Sequence, residues 1–405
     1  MNLQNSVLPA VARLGLSTRR LLGIGICSFV LLGFFMSSPA FGQDAVSTPL
    51  TRMTPELLWK LGRLGEAVSS PDGAKIAYTV RRYELAEDKG RSMLHLLNVS
   101  DGNDTTILKD WGSIGSLHWM ATEDGERLFF EGTPAADPDA EDDDEGPSNQ
   151  AWSMDPSNGH SVQLTSIKDG IANLKVAPGG ARLAFTLDIK MDETPNEIYA
   201  DLPKADARII DSLMYRHWSA WHDYKYSHLH TAVIGPDGVA QDAVDLMKGI
   251  KADCPVPPFA GSEHFNWSPD ATEIAFTMKN VEDWAESTNS DVYLVAANGS
   301  SEPRNISESG MGYDNNPAYS PDGKYLAFNS MERGGFESDR NRIFVVDRAT
   351  GASKELTVGL DQNANGPAWM SDSKSLAFES ERNGTNQLFR IEVENGSVAP
   401  ISKGR

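Results

Sequence analysis

The chain has 405 residues, 40% of them hydrophobic, enough to bury a substantial core. Its 57 Asp and Glu outnumber 36 Lys and Arg, giving a net charge of −21. That balance excludes a nucleic-acid partner, which would need basic surface, and two cysteines exclude a disulfide scaffold.

The first 42 residues read as a signal peptide. Arg13, Arg19 and Arg20 form a basic head, Leu21–Met36 is an apolar run, and Ser37–Gly42 is a small-residue exit. The run is short for a membrane span. Cleavage near Gly42 predicts a secreted or periplasmic protein with no membrane attachment afterwards. Thr18–Leu22 faintly resembles a twin-arginine signal. Cys27 lies in this segment without the small neighbour that lipidation needs. Cys254 would then be the one cysteine left, an apolar filler beside Pro255.

Residues 43–66 read as a linker and a short helix. Thr54 can cap it, Pro55 suits its first turn, and Glu56 favours its positive end. Leu57, Leu58, Leu61 and Leu64 would give it an apolar face to about Leu64.

From residue 67 to 405 one phrase recurs six times: an aromatic or small residue, Ser-Pro-Asp-Gly or a worn version, then a short apolar strand. The copies are SSPDGAKIAYTV (Ser69–Val80), WMATEDGERLFF (Trp119–Phe130), APGGARLAFTL (Ala177–Leu187), WSPDATEIAFTM (Trp267–Met278), YSPDGKYLAFNS (Tyr319–Ser330) and WMSDSKSLAFES (Trp369–Ser380). Their aligned positions, Asp72, Asp124, Gly179, Asp270, Asp322 and Asp372, are 52, 55, 91, 52 and 50 residues apart. Such a period marks repeated supersecondary units that bury their faces on each other. Pro-Asp-Gly is a turn: Pro presets φ, Asp bonds its own backbone, and Gly accepts positive φ. A second strand follows, as in Asp291–Ala296 and Arg342–Asp347, and then a hairpin turn such as Asn298-Gly299 or Asn395-Gly396. Each unit is a meander of about four strands, and radial stacking of such sheets is a β-propeller. The expected fold is all-β, with six to eight four-stranded blades. The 91-residue interval holds an insertion or a diverged blade.

Two stretches stand apart from the repeat. Asp137–Glu145 has seven carboxylates in nine residues and reads as a solvated loop, lacking the spacing and glycine of a calcium motif. The inserted segment at about 192–230 reads as helical over Asp201–Met214, then as an aromatic hairpin. His217, His222, His228 and His230 crowd it, but their spacing matches no zinc motif. Trp218, Trp221 and Tyr224 are candidate contact residues that packing explains better.

Several segments resemble secreted members of the prolyl oligopeptidase family of serine peptidases, in the acylaminoacyl-peptidase and dipeptidyl aminopeptidase-like branch. They are MTPELLWKLGRLGEAVSSPDGAKIAY (Met53–Tyr78), DSLMYRHWSAWHDYKYSHL (Asp211–Leu229), Gly312–Asp347 and Glu381–Ser402. The resemblance implies a propeller of seven or more blades. It would cover a C-terminal α/β-hydrolase domain and admit peptides to a Ser-Asp-His site. No G-x-S-x-G elbow and no β-α-β alternation occur in the 405 residues, so no triad position carries over. The sequence assigns no catalytic, cofactor-binding or metal residue. It predicts a substrate-gating propeller, inactive alone, whose partners are a hydrolase domain and peptides. Unpaired blade edges are expected to drive self-association. Two other classes compete: a stand-alone TolB-like protein-binding propeller, and a propeller enzyme with a carboxylate or metal site in its channel.

Overall fold

The computed structural model describes residues 52–122, 125–135, 147–222, 224–241, 243–282, 284–308 and 310–404. The expected signal peptide and the acidic run at 137–145 lie outside those residues. Among the described residues no helix is long and apolar enough to cross a membrane.

Six four-stranded antiparallel sheets follow one another along the chain, each a meander pairing neighbours in sequence. Blade 1 spans the strands from Arg63–Ser69 to Asp104–Trp111, and blade 2 those from Ser113–Thr122 to Ser161–Gln163. Blade 3 runs from Ala172–Val176 to Val244–Asp245. Blades 4, 5 and 6 start at Phe265–Trp267, Asp314–Tyr319 and Asn365–Trp369. Of the six to eight expected blades, the described residues form six. The long interval is an insertion inside blade 3, between the paired strands Arg182–Lys190 and Lys225–Val233.

The repeated turn shows why its residues are needed. Ser70 Oγ donates to Asp72 Oδ1 at 2.6 Å, and the same carboxylate accepts from the Ala74 amide at 2.9 Å. Ser268–Asp270 and Ser320–Asp322 repeat the bond at 2.6 and 2.7 Å. Each Ser also accepts the amide that opens the next strand, from Lys75, Glu273 and Tyr325. Gly73 and Gly323 sit at φ +70°, where a side chain is strained. In the worn copies Ala271 and Ser373 occupy this region, at φ 57° and 56°.

The aromatic residue before the turn ties blade to blade. Trp267 Nε1 donates to the Lys175 carbonyl of blade 3, and Trp369 Nε1 to the Ala318 carbonyl of blade 5. Tyr319 instead donates its hydroxyl to Glu273 of blade 4 at 2.7 Å, and Arg348 Nη2 holds the same oxygen at 2.9 Å. A hydrogen bond to a charged group contributes about 1.5–3 kcal/mol. Tyr319→Phe should therefore lower stability by about 1–2 kcal/mol, read as a shift in urea midpoint at constant slope. An unchanged midpoint would show that the Arg348 contact suffices.

Two expectations are corrected. The first helix is Pro55–Lys60, capped by Thr54 as expected, but it stops before Gly62 and blade 1 already starts at Arg63. None of its residues is buried, so Leu58 and Leu61 do not bury an apolar face as expected. Asp201–Met214 forms no helix; the insertion has only Pro195–Ile198, before Pro203. Short helices need tertiary burial, and here Leu202, Ile209, Ile210 and Leu213 stay exposed.

Candidate functional site

A cleft of about 680 Å³ lies between the blade 3 insertion and the loop of blade 4 that carries Val281, Glu282 and Trp284. Its walls come from the end of the strand Arg182–Lys190, the loop Ile209–Tyr215, and the start of Lys225–Val233. It exists because the long hairpin of blade 3 overshoots the sheet. Asp188 to Lys190 pair with Ser227 to Lys225, and the chain then turns outward at Met191.

Carboxylates dominate the lining: Asp192, Glu193, Asp211, Asp253 and Glu282, against one lysine, Lys251. Asp192 accepts from Lys251 Nζ at 2.5 Å and from the Tyr226 hydroxyl at 3.0 Å. Those bonds outweigh its partial desolvation and lower its pKa. Burial pushes the Tyr226 hydroxyl up to about 12, helped by the Asp192 charge. Asp253 is a carboxylate of the opposite kind. Burial raises its pKa, although it accepts the Ser227 amide at 2.8 Å. The amides of Met191 and Asp192 donate to the Tyr224 carbonyl, and His222 meets Tyr226 edge-on at 4.7 Å between centroids. The arrangement is a polar, acid-rich recess with aromatic walls. It can hold a cation or an amine by charge-assisted hydrogen bonds.

The structure separates the four crowded histidines. His228 is fully buried; Nδ1 faces Asp245 at 3.1 Å and Nε2 faces the Ile250 carbonyl at 2.9 Å. His230 is stacked on Phe185, and burial lowers its pKa. His217 lies in the hairpin Arg216–His217/Ala220–Trp221 against Trp218, and His222 is at the cleft. Among the described residues no three His, Cys, Asp or Glu side chains are placed to hold a metal. Trp218 is 69% exposed and packs edge-on against Phe259, Trp221 stacks with Tyr215, and Tyr224 lines the cleft. Cys254 is buried, and burial raises its thiol pKa. Sequence reasoning missed the cleft because its carboxylates, from Asp192 to Glu282, come from segments up to 90 residues apart and share no motif.

Known proteins carry the same propeller. Residues 264–405 match a family model described as the TolB beta propeller domain. The chain is 34% identical over 373 residues to dipeptidyl-peptidase 5 of Porphyromonas gingivalis, covering 91% of this chain and 52% of that protein. It is 31% identical to the Porphyromonas endodontalis protein of the same name, over 87% of this chain and 49% of that one. The chain spans about half the length of the curated relatives it matches. In fold it is similar to Pyrococcus horikoshii acylaminoacyl peptidase, with a TM-score of 0.59 at 14% identity, over 86% of this chain and 47% of that chain. It is also similar to the β-propeller domain of the Trilobed protease from Pyrococcus furiosus, with a TM-score of 0.51 at 12% identity, over 85% and 86% of the two chains. The sequence relation and the β-propeller fold agree: over about nine tenths of its length the chain is homologous to part of the dipeptidyl-peptidase 5 proteins of the prolyl oligopeptidase (S9) family, and in fold it is similar to propellers of other peptidases.

Proposed function

We propose that this propeller is the exported substrate-handling part of a peptidase, and that its acid-rich cleft receives the positively charged end of a peptide. A hydrolase domain would supply the nucleophile, because no G-x-S-x-G elbow occurs in these 405 residues. The observation that carries the reading is the cleft itself, lined by five carboxylates and one lysine from the blade 3 insertion, the Lys251–Asp253 segment and a blade 4 loop. A free α-amine is cationic at neutral pH, and a carboxylate cluster favours it over a neutral cap. Relatives named for releasing dipeptides fit that preference, since such a reaction must sense an amino terminus.

Binding by calorimetry is the test. A short peptide with a free amine should bind the purified chain, and its N-acetylated form should bind about tenfold or more weakly, the loss of one charge-assisted bond. Asp192→Asn combined with Glu193→Gln should erase the difference. Equal binding of the two peptides, or binding untouched by the double variant, would remove the cleft from this role.

A further inference from the structure

Among the described residues that line the acid-rich cleft, Lys251 is the one lysine or arginine, and its ammonium sits on a carboxylate. Asp192 Oδ1 accepts from Lys251 Nζ at 2.5 Å, and Asp192 Oδ2 accepts from the Tyr226 hydroxyl at 3.0 Å. Each oxygen of that carboxylate thus has a donor. The two donors differ in mobility. Tyr226 lies on the strand Lys225–Val233, paired with Ile189 of the neighbouring strand. Lys251 carries its charge on a flexible four-carbon stem, and its side chain is 56% exposed.

The backbone beneath Lys251 is fixed from inside the blade. His228 is fully buried, with Nδ1 on Asp245 and Nε2 on the carbonyl of Ile250, the residue before Lys251. The Ile250 amide donates to the Met247 carbonyl at 2.9 Å. After Lys251, Ala252 is buried, Asp253 accepts the Ser227 amide, and the Cys254 amide donates to the Ser227 carbonyl at 2.9 Å. A rigid base therefore presents a swinging ammonium to the cleft. Exposed ion pairs of this kind are weak, so the contact opens readily. Chemically, a lysine ammonium is what a peptide amino terminus would be at this spot: a cation with three N–H donors on a carbon chain.

We infer that Lys251 is a built-in occupant of the amine subsite, holding Asp192 until the amino terminus of a peptide displaces it. The inference rests on the reading of the cleft as the receptor of a peptide's charged end, and it adds a rule of specificity to that reading. A tethered group competes at an effective concentration on the order of millimolar. A single small amine has nothing else to offer and is turned away. A peptide that also contacts the walls, such as Ile198, Tyr224 and Trp284, has further contacts with which to displace the lysine. Apparent affinity is lowered by the fraction of time that the lysine is seated.

Calorimetry on the full chain and on Lys251→Met, with a short free-amine peptide, its N-acetylated form and glycinamide, tests it. Met keeps the apolar stem and removes the ammonium. The free-amine peptide should tighten by about threefold to tenfold, glycinamide should gain by the same factor, and the acetylated peptide should not change. In an Asp192→Asn background Lys251→Met should have no effect, because no carboxylate is left for the lysine to occupy. Lys225→Met is the control for overall charge. Lys225 is exposed and outside the cleft lining, so its loss should leave the preference for the free amine as it was. Both lysines are surface residues, and melting temperatures should match the unaltered chain. Free-amine binding that Lys251→Met leaves unchanged, or a gain shared by the acetylated peptide, would overturn the inference. The amine reading would still stand on the preference of the unaltered chain. Equal binding of the two peptides in both chains would overturn the two together.

Discussion

Phe276→Ala should remove about 3–5 kcal/mol of stability, the usual range for emptying a buried phenylalanine site. Phe276 is 0% exposed in the core between blades 3 and 4. Its ring lies 5.7 Å from that of Tyr293, and Trp267, Met278, Leu246 and Met247 belong to the same cluster. Two blades fix these walls, so neither side can collapse into the space without breaking its own sheet. The residual cavity, not only the lost transfer energy, sets the cost. A natural domain holds about 5–15 kcal/mol in all, so this one change takes about a fifth or more of it. Leu388→Ala is the internal control. It removes a residue of similar chemistry that is 41% exposed on blade 6, and it should cost under about 1 kcal/mol. Urea unfolding followed by circular dichroism gives both values if the slope is unchanged. A loss below about 1 kcal/mol for Phe276→Ala would mean that the two blades do not share a rigid core.

The blade pattern was legible because it is local. A turn that needs Asp and Gly, followed by four to six apolar residues, describes one hairpin, and the hairpin is the repeating part of the fold. Asp72, Asp270 and Asp322 accept backbone amides as the phrase predicts, while the serine hydroxyls that donate to them were not part of that reading. The aromatic residue before the turn was legible as a position, but its work was not: Trp267 and Trp369 reach carbonyls of another blade. The insertion was legible only as a break in period. Its residues 201–214 carry helix formers, and propensity yields to tertiary burial, which that segment lacks. The cleft was not legible. Asp192, Asp211, Asp253 and Glu282 converge only after the long strands of blade 3 carry Asp192 outward and the chain returns at Asp253. Blade 1 departs from the pattern: Ser69 stands where blades 2, 4, 5 and 6 have Trp119, Trp267, Tyr319 and Trp369.

Asp314→Asn should stabilise the chain at pH 8 and change little at pH 4. Asp314 opens the inner strand of blade 5 and is 2% exposed, and its Oδ1 has no partner. Burial pushes its pKa up to about 7; Ser330, Ser307 and Arg342 oppose the rise, and Asp291 adds to it. A raised carboxyl holds its proton in the folded state when the unfolded state has lost it. Folding stability from this group therefore falls as pH rises from about 4 to about 7 and is level above that. The full span is on the order of 4 kcal/mol. His264 acts in the opposite sense. It is 3% exposed, and burial lowers its pKa to about 4, against a rise from Glu263 and with Lys175 helping. The unfolded chain binds that proton first, so its contribution is complete above about 6.5 and is lost as pH falls toward 4, by about 3 kcal/mol. Burial lowers the pKa of His118 and His230 in the same sense as His264, and raises that of Asp291 and Asp253 in the sense of Asp314. These slopes oppose each other between pH 4 and 6.5 in the unaltered chain. The difference between Asp314→Asn and the unaltered chain isolates one of them. It should be near zero at pH 4, grow through pH 7 and plateau, by urea midpoints at half-unit intervals. The variant itself should then lose stability more steeply below pH 6.5, because the histidine term is no longer offset. A difference that is constant with pH would show that Asp314 is ionised in the fold and that its buried oxygen is satisfied by solvent.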